Sequence, residues 1–163
     1  MFNTTIATQI YAKICFEATN SQKKIIENLS EYLSDDDFSR IFVLNGFAGT
    51  GKTTLIAALV AALKELRIKP VLLAPTGRAA KVLARYCGEQ ALTIHKRIYR
   101  QRTNADYESK FSLDFNREQG AVFIVDEASM LSDSTGDGAL FGSGSLLEDL
   151  VSYVRSGRGC RLI

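Results

Sequence analysis

Short apolar runs alternate with longer amphipathic stretches along the 163 residues of this chain. The runs are rich in β-branched and aliphatic residues, which is typical of strands buried on both faces of a parallel sheet. Helices between such strands would cover both faces, so the pattern predicts an α/β domain with a mostly parallel sheet. The four predicted strands are residues 41–44, 71–74, 121–125 and 160–163.

The stretches between the strands carry helical spacing or strong helix formers. Apolar side chains recur three or four residues apart in most of them, and residues 55–63 are dominated by Ala and Leu. The cluster Thr19-Asn20-Ser21 predicts a helix start, with Gln22 in the first turn. Residues 101–119 show no sustained period and predict an irregular insertion. The predicted helices are residues 5–15, 22–33, 55–63, 78–87 and 146–154.

Composition places the chain among ordinary globular domains. Hydrophobic residues make up 46% and charged residues 23%, and 163 residues are enough for a single domain. We expect N-terminal helices over residues 1–38 ahead of a core over residues 39–163. The net charge of +2 is too small to indicate polyanion binding by itself, so a nucleic-acid site must be argued from local residues.

Three scattered cysteines, Cys15, Cys87 and Cys160, form no C-x-x-C pair. This spacing indicates the reduced thiols of an intracellular protein. No apolar run approaches the ~18 residues of a membrane span. The first residues lack the basic and apolar regions of a signal peptide. We therefore expect a cytoplasmic protein with no membrane segment.

Residues 46–53 match the pattern G-x-x-x-x-G-K-[ST] at every specified position. The match lies between a predicted strand and a predicted helix, where backbone N–H groups and the helix dipole converge on an anion. Lys52 would place a positive charge on the outer phosphates of a nucleotide, and the Thr53 hydroxyl could ligate Mg²⁺. The alternative is a glycine-rich turn that binds nothing. The predicted nucleotide-contacting residues of this P-loop are Ala48, Gly49, Thr50, Gly51, Lys52, Thr53 and Thr54.

An acidic pair, Asp126-Glu127, follows the third predicted strand. Right-handed crossovers bring the carboxyl ends of parallel strands to one edge, so this pair, the P-loop and the turn at Thr76 would all face that edge. Asp126 is then placed to hold Mg²⁺ beside Thr53, and Glu127 to orient or deprotonate the attacking water. With Lys52 they are the predicted catalytic residues. The alternative is an acidic pair that merely faces solvent.

These motifs resemble those of the RecD-like DNA helicases of superfamily 1. Residues 46–54 are similar to motif I, residues 74–80 to motif Ia and residues 125–130 to motif II. Thr93-Ile94-His95 resembles the segment between motifs Ia and II, and Gln22 stands at the position of the adenine-reading Q motif. The motif Ia stretch is the specific part, because a P-loop alone identifies only a very large superfamily.

The resemblance implies the first RecA-like domain of an ATP-driven motor that moves along single-stranded DNA, with ATP and Mg²⁺ as cofactors. Gln22 would contact the adenine, and Thr76, Gly77 and Arg78 would touch the DNA backbone. A helix N-terminus with a hydroxyl and an Arg suits a phosphate, although a helix cap and a surface Arg explain the same residues. His95 is equally compatible with a DNA contact and with a packing or capping role.

Helicases of this family continue with a Gly-Asp…Gln-Leu motif and a second RecA-like domain, whose arginines reach the γ-phosphate. Neither lies within these residues. We therefore expect the 163 residues to bind Mg-ATP without unwinding DNA alone. Two other classes stay open, a small P-loop kinase and a non-catalytic module that binds nucleotide or DNA.

Overall fold

The computed structural model describes residues 2–46, 49–103, 109–131 and 141–163. The helices are α1 Phe2–Lys13, α2 Asn20–Ser34, α3 Lys52–Glu65, α4 Gly77–Cys87, α5 Ile94–Ile98 and α6 Leu146–Ser156. The strands are β1 Pro70–Ala74, β2 Ala91–Thr93, β3 Tyr99–Thr103, β4 Ser109–Leu113, β5 Val122–Val125 and β6 Arg161–Leu162. All five predicted helices are confirmed, and α5 was not predicted. No helix in these ranges is long and apolar enough to cross a membrane.

A parallel sheet with the strand order β2-β1-β5-β6 forms the centre of the fold. Leu73 of β1 lies opposite Val125 of β5, and Phe123 of β5 lies opposite Leu162 of β6. The predicted parallel sheet is confirmed, with three of its four predicted strands. β2 was not predicted because three residues are too few to show a pattern.

The predicted strand over residues 41–44 was wrong in extent. Ile41 forms a single parallel bridge with Leu162, whose carbonyl accepts a hydrogen bond from the Phe42 amide at 3.0 Å. A ladder needs a partner of matching length, and β6 pairs with β5 over two residues only. Val43 lies beyond the bridge and is 80% exposed. The segment still runs beside β6 at the edge of the sheet, and the P-loop comes directly after it in the chain.

Helices cover both faces of the sheet, as predicted. Leu59 of α3 shares one core with Leu72 and Ile124 of the sheet and with side chains of α1, α2 and α4. On the opposite face, Leu73 and Phe123 form a second core with α5 and α6. Successive side chains of a strand point to opposite faces, so β1 and β5 supply both cores. Strands buried on both faces explain the continuous apolar runs of the sequence.

A β-hairpin lies between α5 and β5. Its strands β3 and β4 pair antiparallel, with Tyr99 opposite Leu113. The prediction of an irregular insertion over residues 101–119 was therefore wrong for these strands. Phe111 of the hairpin stacks on Phe141, with ring centroids 4.6 Å apart. Cross-strand pairs stabilise such a ribbon, and a mostly polar sequence does not show them as a periodic pattern.

A buried carboxylate fastens this hairpin to α6. Asp149 accepts hydrogen bonds from the Tyr99 hydroxyl at 2.6 Å and from the Ser143 amide at 2.9 Å. A Cβ atom at Gly142 would overlap the Asp149 carboxylate, so only glycine fits there without rearrangement. The hydrogen bonds satisfy a polar group that would otherwise be costly to bury.

We expect Tyr99→Phe to reduce the loss of stability at alkaline pH. Burial, and then the hydrogen bond to Asp149, raise the pKa of Tyr99 above its ordinary value of 10.0. The unfolded chain therefore releases this proton first as the pH rises past about 10, and the free energy of unfolding falls from there toward the folded-state pKa. Urea unfolding at a series of pH values from about 8 to 11 measures the slope of the free energy of unfolding against pH, called the alkaline slope below.

The matched control is Tyr86→Phe, at a tyrosine that is exposed on α4. It should leave the alkaline slope as it is in the unaltered protein. The same slope in Tyr99→Phe and the unaltered protein would contradict the role given to the Tyr99–Asp149 contact.

Candidate nucleotide-binding site

The P-loop enters α3 through two glycines in left-handed conformation. Gly49 has φ 79° and Gly51 has φ 82°, values that a residue with a Cβ atom adopts only with strain. Gly51 is the N-cap of α3, and its carbonyl accepts the amide of Leu55 at 2.9 Å. The helix begins at Lys52, so the N-terminus of α3, with the positive end of its dipole, lies at the loop, as the motif predicts. Ala48, also predicted to contact nucleotide, lies outside the described residues.

Lys52 spans the P-loop. Its ammonium group donates a hydrogen bond to the carbonyl of Gly46, on the other side of the loop. Thr53 is half-buried in the first turn of α3, and Thr54 is exposed. The loop thus presents a cation, a hydroxyl and helix N–H groups together, which is the chemistry that binds the phosphates of a nucleotide.

A cavity of about 660 Å³ lies between the P-loop and the start of α2. Its walls combine apolar side chains with polar groups, as ligand pockets do. Thr54 lines it, whereas the described residues Thr53, Asp126 and Glu127 are outside its lining. The residues that line it are Phe16, Thr19, Ser21, Gln22, Ile25, Leu44, Asn45, Gly46, Gly49, Thr50, Gly51, Lys52, Thr54 and Leu55.

Gln22 connects α2 to the P-loop. Its Oε1 accepts the amide of Thr19 at 3.0 Å, which completes a capping box, and its Nε2 donates to the Thr50 carbonyl at 3.4 Å. A Cβ atom on Gly51 would lie 3.0 Å from Nε2. The structure therefore brings the predicted adenine-contacting residue against the predicted phosphate-binding loop.

Phe16 is a cavity residue that sequence reasoning missed. It is 41% exposed and lines the cavity together with Gln22 and Ile25. A flat apolar ring beside an amide side chain can stack on a heterocyclic base while the amide hydrogen-bonds to its edge. The sequence offered one signal for it, an aromatic residue just ahead of the Thr19 capping cluster. None of the motifs includes this aromatic residue.

The acidic pair lies directly after β5. The Asp126 amide donates to the carbonyl of Leu73 at 3.1 Å, and Asp126 Oδ1 accepts the amide of Glu127 at 3.0 Å. Glu127 has φ 56°, a left-handed conformation that is uncommon for a residue other than glycine. Strained backbone of this kind clusters at active sites. Glu127 is exposed, so its carboxylate is accessible to a water molecule.

Strand register places the acidic pair at the same sheet edge as the P-loop and the Thr76 turn. Leu73 pairs with Val125, so Thr76 and Asp126 follow strand ends that lie side by side. β6 lies between β5 and the residues that lead into the P-loop. One strand therefore separates Asp126 from the segment that leads into the P-loop.

The predicted DNA-contacting residues occupy two helix starts. Thr76 is the N-cap of α4, and its hydroxyl accepts the amide of Ala79 at 3.2 Å. Gly77 and Arg78 are exposed beside it. His95, in contrast, is half-buried on α5, where its ring packs 5.1 Å from that of Phe141 in an edge-on arrangement. The packing role of His95 is observed, and its DNA contact stays a prediction.

The three cysteines are free thiols. Burial, then the charges of Asp126 and Glu89, raise the pKa of the Cys87 thiol to about 11. This thiol stays protonated and unreactive at neutral pH. The cytoplasmic location expected from the sequence stays a prediction.

The glycine loop that leads into α3, its lysine and the Asp-Glu pair that follows β5 of a parallel sheet define a P-loop domain of RecA-like α/β fold. The pattern of the AAA domain family matches residues 17–140, and the chain belongs to this family. Over 114 residues it is 29% identical to the ATP-dependent RecD2 DNA helicase of Deinococcus radiodurans. That match covers 70% of this chain and 15% of the helicase. The resemblance to the ATPase domain of RecD-like helicases is thereby confirmed.

Proposed function

We propose that this domain binds and hydrolyses Mg-ATP to drive movement of a DNA helicase along single-stranded DNA. The observation that carries the proposal is the cavity shared by Gln22 and the P-loop, because it brings an amide side chain that could read a base next to a loop that could bind phosphates. The likeness to a DNA helicase supports the choice of a motor over a small P-loop kinase.

The geometry of the loop fits a nucleoside triphosphate. The left-handed glycines Gly49 and Gly51 leave the backbone open to close approach by phosphates, which a Cβ atom would obstruct. In the proposed complex the adenine lies between Phe16 and Gln22, and Lys52 leaves the Gly46 carbonyl to contact the outer phosphates.

Thr53 and Asp126 would hold Mg²⁺. A hydroxyl and a carboxylate are oxygen donors of the kind this ion prefers, and it keeps several waters beside the nucleotide phosphates. When bound, the ion neutralises charge on the transferred phosphoryl group. Glu127 would orient the attacking water and accept its proton, since its carboxylate is exposed next to Asp126.

Unwinding is proposed for a motor that contains a second RecA-like domain and not for these residues alone. The chain spans 15% of the length of the curated relative it matches. Stepwise movement along a strand needs two domains that close on each other around ATP. The isolated chain is therefore expected to bind Mg-ATP and to leave a duplex intact.

We expect Asp126→Asn to raise the Mg²⁺ concentration that ATP binding requires. Loss of the carboxylate charge should lower the affinity for the ion by about 10- to 100-fold, because Asp126 would hold Mg²⁺ through water, as an outer partner of the site. Calorimetric titration of ATP at a series of Mg²⁺ concentrations measures the change. A strand-displacement assay with the unaltered chain tests whether it unwinds a forked duplex.

Asp36→Asn is the matched control, because Asp36 is an exposed carboxylate in the loop after α2. Equal Mg²⁺ titrations for Asp126→Asn and Asp36→Asn would reject the assigned metal site. Duplex unwinding by the isolated chain would reject the proposal that these residues alone cannot unwind DNA. Phosphate transfer from ATP to a metabolite would favour the kinase.

A further inference from the structure

The solvent-facing side of α4 has an unusual composition. The helix buries Ala79, Ala80 and Leu83 against the sheet. Residues three or four apart share a helix face, so the opposite side collects the remaining long side chains. We define the α4 face by its exposed residues Arg78, Lys81, Val82, Arg85 and Tyr86.

The positive charge of this face is not balanced locally. α4 contains no acidic residue, and none of Arg78, Lys81 and Arg85 forms a salt bridge within the described ranges. Other cations in the chain are paired: Lys64 with Glu89, for example. A cluster of three such cations is a local excess on a chain whose net charge is only +2. A partner with complementary charge would be a polyanion.

The same face exposes apolar side chains. Tyr86 is 62% exposed and Val82 is 47% exposed, and they lie four residues apart on the helix. An exposed aromatic ring among cations is the combination with which proteins bind single-stranded nucleic acid, because the ring stacks on a base and the cations contact phosphates. Binding to a DNA duplex or to an acidic protein surface would need the cations but not the exposed aromatic ring.

The face also continues from the predicted DNA-contacting turn. Thr76 caps α4, and Arg78 belongs to both the turn and the face. From Arg78 to Tyr86 the helix rises roughly 12 Å, at 1.5 Å per residue. That length corresponds to about three or four nucleotides of a stacked strand, at 3.4 Å each.

We propose that the α4 face is a second contact surface for single-stranded DNA, in which Lys81 and Arg85 contact phosphates and Tyr86 stacks on a base. The inference rests on the proposed action on single-stranded DNA and extends it from the Thr76 turn along the helix. ATP binding is independent of this face, since none of its residues lines the cavity.

The test is fluorescence anisotropy of a labelled oligothymidylate with the full chain, over a series of salt concentrations. In the double variant Lys81→Ala/Arg85→Ala, the slope of log affinity against log salt should fall in magnitude by about 1.4, at 0.7 for each single-strand phosphate contact. Tyr86→Ala should weaken binding by about 5- to 150-fold, and Tyr86→Phe should not, because the ring is retained.

Lys24→Ala/Arg158→Ala is the matched control, with the same change of charge at two exposed residues outside α4. An unchanged salt slope in the α4 double variant, with normal ATP binding and DNA binding, overturns the inference and leaves the proposed function intact. Failure of the unaltered chain to bind the oligonucleotide overturns both. Variants that change self-association but not DNA affinity would assign the face to protein contact and overturn the inference as well.

Discussion

Lys52→Ala is expected to lower the affinity of the chain for Mg-ATP by about 10- to 150-fold. A hydrogen bond to a charged group contributes about 1.5–3 kcal/mol, and each 1.4 kcal/mol corresponds to a factor of ten. The ammonium group already lies at the loop, where it donates to the carbonyl of Gly46. It therefore needs only a short movement to meet the outer phosphates. Calorimetric titration with a non-hydrolysable ATP analogue measures the affinity.

Lys64→Ala is the matched control for this experiment, because Lys64 lies near the other end of the same helix and pairs with Glu89 on the surface. It should bind the analogue as the unaltered protein does, since surface pairs contribute little to stability. The urea midpoint of Lys52→Ala shows whether the loss of the Gly46 contact disturbs the fold. A folded Lys52→Ala protein with normal affinity would contradict the assignment of the P-loop.

Phe123→Ala is expected to destabilise the domain by about 3–5 kcal/mol. Phe123 is fully buried in β5 and meets the ring of Tyr153 edge-on, with centroids 6.0 Å apart. Its removal leaves a cavity between the sheet and α6, which a packed interior fills only in part. Domains of this size are stable by only about 5–15 kcal/mol, so the effect is a large share of the total. Urea unfolding measures it.

The comparison for this variant is Phe115→Ala, at a phenylalanine that is 74% exposed. That substitution should change the free energy of unfolding by less than about 0.5 kcal/mol. A loss below about 1 kcal/mol in Phe123→Ala would contradict the second core described for this face. Because β5 leads directly into Asp126, the folded fraction of Phe123→Ala should also show weaker Mg²⁺-dependent ATP binding.

Features that depend on a few neighbouring residues were predictable from the sequence alone. Thr19 and Thr76 cap their helices as their side chains predict, because a hydroxyl reaches the amide three residues on. The glycines at 49 and 51 adopt the left-handed backbone that the P-loop pattern requires. The buried strands were visible because a strand covered on both faces is apolar along its whole length. The order of the motifs along the chain was sufficient to indicate the family.

Other features were decided by contacts between distant parts of the chain. Gln22 reaches the carbonyl of Thr50 across 28 positions, and only packing of α2 against the P-loop brings them together. His95 is packed by Phe141, and neither residue's own sequence neighbourhood reports that contact.

The same dependence on distant contacts explains the two predictions that were wrong. Whether residues 41–44 form a strand depends on the length of β6, more than a hundred positions away. The hairpin of β3 and β4 depends on cross-strand pairing that its polar sequence does not display. Local propensity and motif spacing therefore determined the five longer helices, the caps and the chemistry of the P-loop. Pairing and burial between remote segments determined the edge of the sheet, the hairpin and the cavity in which that chemistry operates.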